Sequence, residues 1–230
     1  MERLFTLIKR INSALLLLGL LGLGAFIAWN IWSSNQWQSS RSVPIPATQA
    51  GEAKPVLLEF GQIENIHGTD TQMLDLSARD SSGKLYSSGY GSETRNVLFL
   101  SGKDKTPRWL FPVQSNLILT VEQLRHETES SGSKQAPTSA LFFEYISNDS
   151  NGDGKLSRDD RSRIALAKPD GTGLTEVLDG VSRVLSREML DSQHLTLIYQ
   201  KDRTIHHARF SLATLSKELD QEIVTVPEEI

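Results

Sequence analysis

Cysteine is absent from the 230 residues, so no disulfide staples the fold and no lipid-bearing cysteine can tether it. That absence leaves the compartment open, because extracytoplasmic domains also manage without disulfides. An excess of positive charge is missing too. The chain carries 24 basic against 28 acidic residues. With Glu2, Arg3, Lys9 and Arg10 set aside, 21 basic face 27 acidic residues, a net charge of −6. A surface of that sign argues against a nucleic-acid partner. No Gly-x-Ser-x-Gly elbow surrounds Ser186, Ser192 or Ser211. Gly171-x-Gly173 lacks the third glycine of a dinucleotide fingerprint. His67, His126 and His194 have no nearby ligand spacing, and adjacent His206 and His207 point to opposite faces of a strand. No nucleophile–base or multi-histidine constellation is legible.

Long apolar runs are also lacking after the first 32 residues, but one stands at the start. Residues 11–32 are almost wholly apolar, and twenty such residues in a helix span about 30 Å, the thickness of a bilayer core. Arg3, Lys9 and Arg10 precede the run, which puts residues 1–10 in the cytoplasm. Trp29 and Trp32 stand where a cleavage site would need small residues, and the run exceeds the roughly 7 to 15 residues of a signal-peptide core. The expectation is an uncleaved single-pass anchor in the inner membrane. Residues 33–54, rich in Ser, Gln, Pro and Ala, read as a flexible tether with a root-mean-square reach of about 25 Å. Residues 55–222 follow as an extracytoplasmic β domain, and residues 223–230 as a tail.

The strongest local pattern is Asp149-Ser150-Asn151-Gly152-Asp153-Gly154-Lys155-Leu156-Ser157-Arg158-Asp159-Asp160. Oxygen-bearing side chains fall at positions 1, 3 and 5, and a glycine sits at position 6, where the chain must turn sharply. Lys155 at 7 needs only its carbonyl, Ser157 at 9 can act through water, and Asp160 closes the loop at 12. These twelve residues resemble a dockerin-type or extracellular EF-hand-like calcium loop. The resemblance implies Asp149, Asn151, Asp153, Lys155 (through its backbone), Ser157 and Asp160 as ligands of a calcium ion. It departs from the EF-hand at position 12, where Asp160 replaces the longer Glu. Affinity on the order of 10⁻⁴ to 10⁻³ M is expected, as in extracellular modules. A plain turn is the bland alternative, since Asn-Gly and Asp-Gly are also hairpin signals. The flanks lack long helices, so the ion is expected to staple a connection between two strands, with one helical turn over residues 157–161.

From residue 55 the apolar residues come in short runs between turns. Strands are expected at 56–66, 73–78, 96–100, 108–111, 117–126, 140–146, 163–167, 174–178, 194–200 and 204–212. Residues 217–222 read as a short helix, and 127–139 as a mobile hairpin tip. Leu195, Leu197 and Tyr199 should share one face of the hairpin that turns at Lys201-Asp202-Arg203. Three segments repeat weakly: residues 97–111, 164–178 and 209–215. The middle one, RIALAKPDGTGLTEVL, resembles the outer strands and turn of a TolB-type β-propeller blade. The expected fold is therefore mostly β, a transmembrane helix followed by an antiparallel domain, propeller-like or sandwich-like, carrying the calcium loop.

Two functions fit these signals. One is a membrane-anchored, calcium-binding module with a structural or accessory role, engaging another envelope protein or a second copy of itself. The other is an envelope hydrolase whose carboxylates, such as Glu144 and Asp191, are dispersed in sequence and converge in space. Trp109, Phe111, Phe142 and Phe143 read as packing residues, with Trp109 a binding platform if exposed.

Overall fold

The computed structural model describes residues 44–46, 56–80, 93–126 and 136–227. Fourteen strands follow one another: β1 Pro44–Pro46, β2 Val56–Phe60, β3 Glu64–Asn65, β4 Gln72–Asp80, β5 Glu93–Ser101, β6 Thr106–Trp109 and β7 Leu117–Leu124. Then come β8 Ala140–Ile146, β9 Ser162–Ala167, β10 Thr175–Val181, β11 Arg183–Met189, β12 His194–Lys201, β13 Thr204–Ser211 and β14 Ser216–Thr225. The pairs β2–β4, β4–β5, β7–β8, β8–β9 and β9–β10 are antiparallel neighbours in one ten-stranded sheet. The meander β11–β12–β13–β14 forms a separate four-stranded sheet.

The burial of β8 and β9 decides the architecture. Ala140-Leu141-Phe142-Phe143-Glu144-Tyr145-Ile146 does not alternate apolar with polar, and neither does Ile164-Ala165-Leu166-Ala167. A strand apolar on both faces must be covered on both. One core joins Phe142, Ile164 and Leu166 to Leu195, Leu197, Ala208 and Phe210 of the four-stranded sheet. A second core joins Leu141, Phe143, Tyr145 and Ala165 to Met73, Val97, Phe99 and Phe111. The β4–β5 part of the long sheet, joined to β7 only through Thr94↔Ile118, therefore lies over the opposite face of β8–β9, giving three layers. Phe142, Phe143, Phe99 and Phe210 are each fully buried, at about 1.5–3 kcal/mol apiece.

This corrects the expected architecture. A two-sheet sandwich would bury each strand on one face only, and the doubly covered β8 and β9 do not fit it. The long sheet is continuous from β5 to β7 only through Thr94↔Ile118, and β7–β10 and β11–β14 are each four antiparallel strands in sequence order. The three repeat-like segments correspond to the β5–β6, β9–β10 and β13–β14 hairpins, the first two in the ten-stranded sheet and the third in the four-stranded one. Among the described residues there are no helices, and no helix is long and apolar enough to cross a membrane. The membrane-spanning segment expected over residues 11–32 lies outside the described residues, as does most of the hairpin tip at 127–139.

Residues 217–222, expected as a helix, belong to β14, which runs on to Thr225 into the expected tail. Lys, Glu, Leu and Gln there favour a helix intrinsically, but the edge of β13 satisfies the backbone as a ladder from Thr204↔Thr225 to Ser211↔Ser216. Pro44–Pro46, within the expected tether, pairs with β2 through Pro44↔Glu59 and Pro46↔Leu57. Strand β11 was not expected at all; its exposed, charged residues carry little apolar pattern, and β12 supplies its partner.

One buried polar side chain pins the outer layer. Asn96 is fully buried; its Nδ2 donates to the Phe111 carbonyl at 2.8 Å, and its Oδ1 accepts from the amides of Phe111 and Val97. It thus completes the backbone pairing of Phe111 just past the end of β6. Asn96→Ala should cost about 2–3 kcal/mol in urea denaturation, because buried amide and carbonyl groups lose their partners. A cost below half a kcal/mol would show that water replaces the side chain.

A candidate cation loop between β8 and β9

The twelve residues 149–160 form the connection between β8 and β9, which are paired from Leu141↔Ala167 to Tyr145↔Arg163. The strands are long, apolar and buried, so the polar connection is expelled to the rim. Its shape is set by carboxylates that accept backbone N–H groups. Asp149 Oδ1 accepts from Gly152 N at 2.6 Å and from Asp153 N at 3.3 Å, and its Oδ2 from Gly154 N at 2.7 Å. Asn151 Oδ1 accepts from Asp153 N, and Asp153 Oδ1 from Lys155 N, each at 2.9 Å. Gly152 and Gly154 adopt φ of +77° and +79°, which ordinary side chains disfavour.

Asp160 differs from the other acids of the loop. It is only 3% exposed, whereas Asp149 and Asp153 are exposed. Its Oδ1 accepts from Ser150 N at 2.7 Å, Ser150 Oγ at 3.1 Å and Asn151 N at 3.2 Å, and its Oδ2 from Ser157 N at 2.9 Å. Burial pushes this carboxyl group up, but the hydrogen bonds from Ser157, Ser150 and Asn151 outweigh it and hold its pKa below the ordinary value. Asp160 therefore joins the first and last thirds of the loop as a buried anion.

The exit of the loop reaches the other sheet. Arg161 forms an ion pair with Asp202 in the β12–β13 turn, and its guanidinium donates to Ser182 Oγ at 3.2 Å. Ser182 Oγ also accepts from Asp202 N at 3.0 Å, while Arg161 N donates to Ser150 Oγ at 2.8 Å. Beneath the loop lies a cavity of about 320 Å³ lined by residues that include Asp160, Glu144, Ser162 and Thr120. The Ser162 hydroxyl donates to Glu144 Oε1 at 3.0 Å.

All six expected ligands thus lie on one short connection. Their donor set is entirely oxygen, which suits a hard divalent cation such as calcium. Among the described residues, no three His, Cys, Asp or Glu side chains stand grouped as a ready metal centre. The carboxylates of the loop are engaged with backbone amides instead.

Glu144 and Asp191 do not converge. Glu144 shares Ser162 with the Val181 carbonyl just before β11, whereas Asp191 sits in the turn after β11. Asp191 instead holds His194: the ring Nδ1 lies 2.9 Å from Oδ2, and the His194 and Gln193 amides donate to Oδ1. The His194 hydrogen bond is the main cause of the lowered Asp191 pKa. Nε2 of the same ring faces Glu218 at 3.7 Å. His206 stacks on Tyr199 with centroids 5.0 Å apart, and the Tyr199 hydroxyl donates to Asp220 at 2.9 Å. Burial and then the Asp220 bond push the Tyr199 pKa up. His207 lies on the other face, 2.7 Å from Thr196 Oγ1. These clusters escaped the sequence because cross-strand register assembles them. Only Asp191-x-x-His194 carried a local signal, that of an Asp-initiated turn. Trp109 is 36% exposed and stacks on Phe60 at 6.0 Å, while Phe111, Phe142 and Phe143 are buried.

No protein-family model matches the chain, and no curated protein matches it. Among solved structures, a luciferin-regenerating enzyme aligns over 80% of this chain and 65% of its own length. The identity is 10% and the TM-score 0.33, a likeness too slight to bear on fold or activity.

Proposed function

We propose that residues 149–160 bind calcium, and that the ion holds the β8–β9 connection against the four-stranded sheet. The protein is then a calcium-stapled β module with a structural or accessory role in a larger assembly. The observation that carries this reading is buried Asp160, whose four accepted hydrogen bonds draw Ser150, Asn151 and Ser157 together. Its neighbour Arg161 then transmits the loop's position to Asp202 and Ser182. A cation among Asp149, Asn151, Asp153 and Asp160 would neutralise the like charges gathered there and stiffen that route between sheets. The weak affinity expected of the loop favours an extracytoplasmic setting, where calcium is plentiful. An accessory role draws support from β14, which among the described residues is an edge strand paired with β13 alone and exposes Ile223 and Val224.

Thermal melting of the full-length protein tests the reading. With calcium about tenfold above its dissociation constant, stabilisation should be about 1.4 kcal/mol, a rise in Tm of roughly 3–6 °C. Magnesium should give less, because it demands near-octahedral geometry at shorter distances. Asp153→Ala should abolish the calcium response. A calcium response unchanged in both Asp153→Ala and Asp149→Ala would remove the ligand assignment.

A further inference from the structure

Of the eight asparagines, only Asn151 is followed by glycine. Both residues of this Asn-Gly step are exposed, and nothing lies within 4 Å of the place where a Cβ on Gly152 would stand. Residue 152 therefore carries no side chain, and meets no neighbouring group, that would shield its nitrogen as the side chain of another residue would. We propose that Asn151 is a site of spontaneous deamidation, and that the Asp149 carboxylate holds the rate down.

In this reaction the Gly152 amide loses its proton to base, and its nitrogen attacks Cγ of Asn151. The new N–Cγ bond forms, the Cγ–Nδ2 bond breaks, and Nδ2 takes a proton back from the protonated base to leave as ammonia. The resulting five-membered succinimide is opened by water at either carbonyl. One product is aspartate; the other is isoaspartate, in which the main chain runs through the side-chain carbon. Each carries one more negative charge than asparagine.

Two contacts oppose the first step. The Gly152 N–H is donated to Asp149 Oδ1 at 2.6 Å, and this bond must break before the nitrogen can attack. The Asn151 side-chain oxygen Oδ1 meanwhile accepts from Asp153 N at 2.9 Å, which restrains the electrophilic Cγ. Asp149 is thus a positioning residue whose hydrogen bond raises the barrier. If the calcium reading holds, the two products have opposite consequences. Aspartate keeps an oxygen at position 3 and adds charge, whereas isoaspartate lengthens the chain between positions 3 and 4 and misplaces Gly152.

The experiment is incubation of the full-length protein in mildly alkaline buffer with chelator, so that its outcome does not depend on calcium. Peptide mass spectrometry with isoaspartate detection then follows residues 149–160. The wild type should gain the mass of an amide-to-acid exchange at Asn151 and at no other position in the loop, and Asn151→Gln should not. Asp149→Ala should convert severalfold faster, because the Gly152 nitrogen is released from its 2.6 Å hydrogen bond. Asp149→Asn, which keeps an acceptor but makes a weaker bond, should fall between wild type and Asp149→Ala. Asp153→Ala controls for loosening of the loop, because it removes a carboxylate without touching the Gly152 contact. Conversion in Asp149→Ala no faster than in Asp153→Ala would overturn the role of Asp149. Absence of conversion in every variant, while the urea-unfolded chain converts, would overturn the site itself.

Discussion

Asp160→Ala is expected to destabilise the domain by about 3–4 kcal/mol even with chelator present, lowering Tm by roughly 10 °C. The substitution removes a buried carboxylate that accepts from two amides in the first third of the loop, one hydroxyl there and one amide at Ser157. Hydrogen bonds to a charged group contribute about 1.5–3 kcal/mol each, though not additively, and orphaned donors near the core add their desolvation cost. Alanine at Asp149 or Asp153, both exposed, should cost well under half as much without calcium, because water can take over their contacts. A loss below about 1 kcal/mol for Asp160→Ala would mean that the loop does not depend on its buried acid.

The same carboxylate makes a pH prediction with a definite sign. Its folded pKa lies below the ordinary 3.8, so the folded state favours the ionised form. Its contribution is therefore fully present above about pH 4 and is lost as pH falls through the folded value. Asp170, Asp191 and Asp220 are lowered as well, so acid unfolding of the wild type is a shared effect. The diagnostic quantity is the difference between wild type and Asp160→Asn: large near neutrality, shrinking below pH 4. A difference independent of pH would assign the loss to shape rather than charge.

What the sequence disclosed depends on how local the cause is. β8 and the β12–β13 hairpin were legible because a β-rich apolar run and a turn with Asp202 at φ +54° act over a few residues. Leu195, Leu197 and Tyr199 are buried together, as period-two alternation requires. β11 and β14 were not legible, since their exposed, charged residues are held by the ladders of β12 and β13 rather than by their own preference. The oxygen-bearing spacing of residues 149–160 is equally local, and the expectation of six ligands comes from it alone. The burial of Asp160 and the reach of Arg161 to Asp202 could not be read from it, because both depend on which sheet folds over which loop.

Gly171→Val should be the most damaging single change outside the loop, at about 4 kcal/mol. Gly171 ends the turn after β9 with φ of +75°, held by its amide donating to the Lys168 carbonyl at 2.7 Å and by Lys168 N donating to Thr172 O at 2.9 Å. A β-branched residue there carries about 1–3 kcal/mol of backbone strain. A second cost is added, because a Cβ at 171 would stand 2.7 Å from Phe99 Cε1 and Cζ, and 2.8 Å from the Arg108 guanidinium. Phe99 is fully buried in the core that joins the long sheet to itself, so its ring has nowhere to retreat; overpacking of this kind costs about 1–3 kcal/mol more. Arg108 is fixed as well, lying 5.1 Å over the Phe99 ring while donating to the Asp170 carbonyl at 2.9 Å. Two comparisons separate the costs. Gly173→Ala shares the left-handed backbone, at φ +66°, but its nearest neighbour would be 3.7 Å away, so strain alone should remain, near 1 kcal/mol. Gly171→Asn relieves much of the strain while keeping the clash, and should fall between them. Equal losses at 171 and 173 in urea titrations would mean that Phe99 moves freely, and that the long sheet is not close-packed where β9 and β10 meet β5.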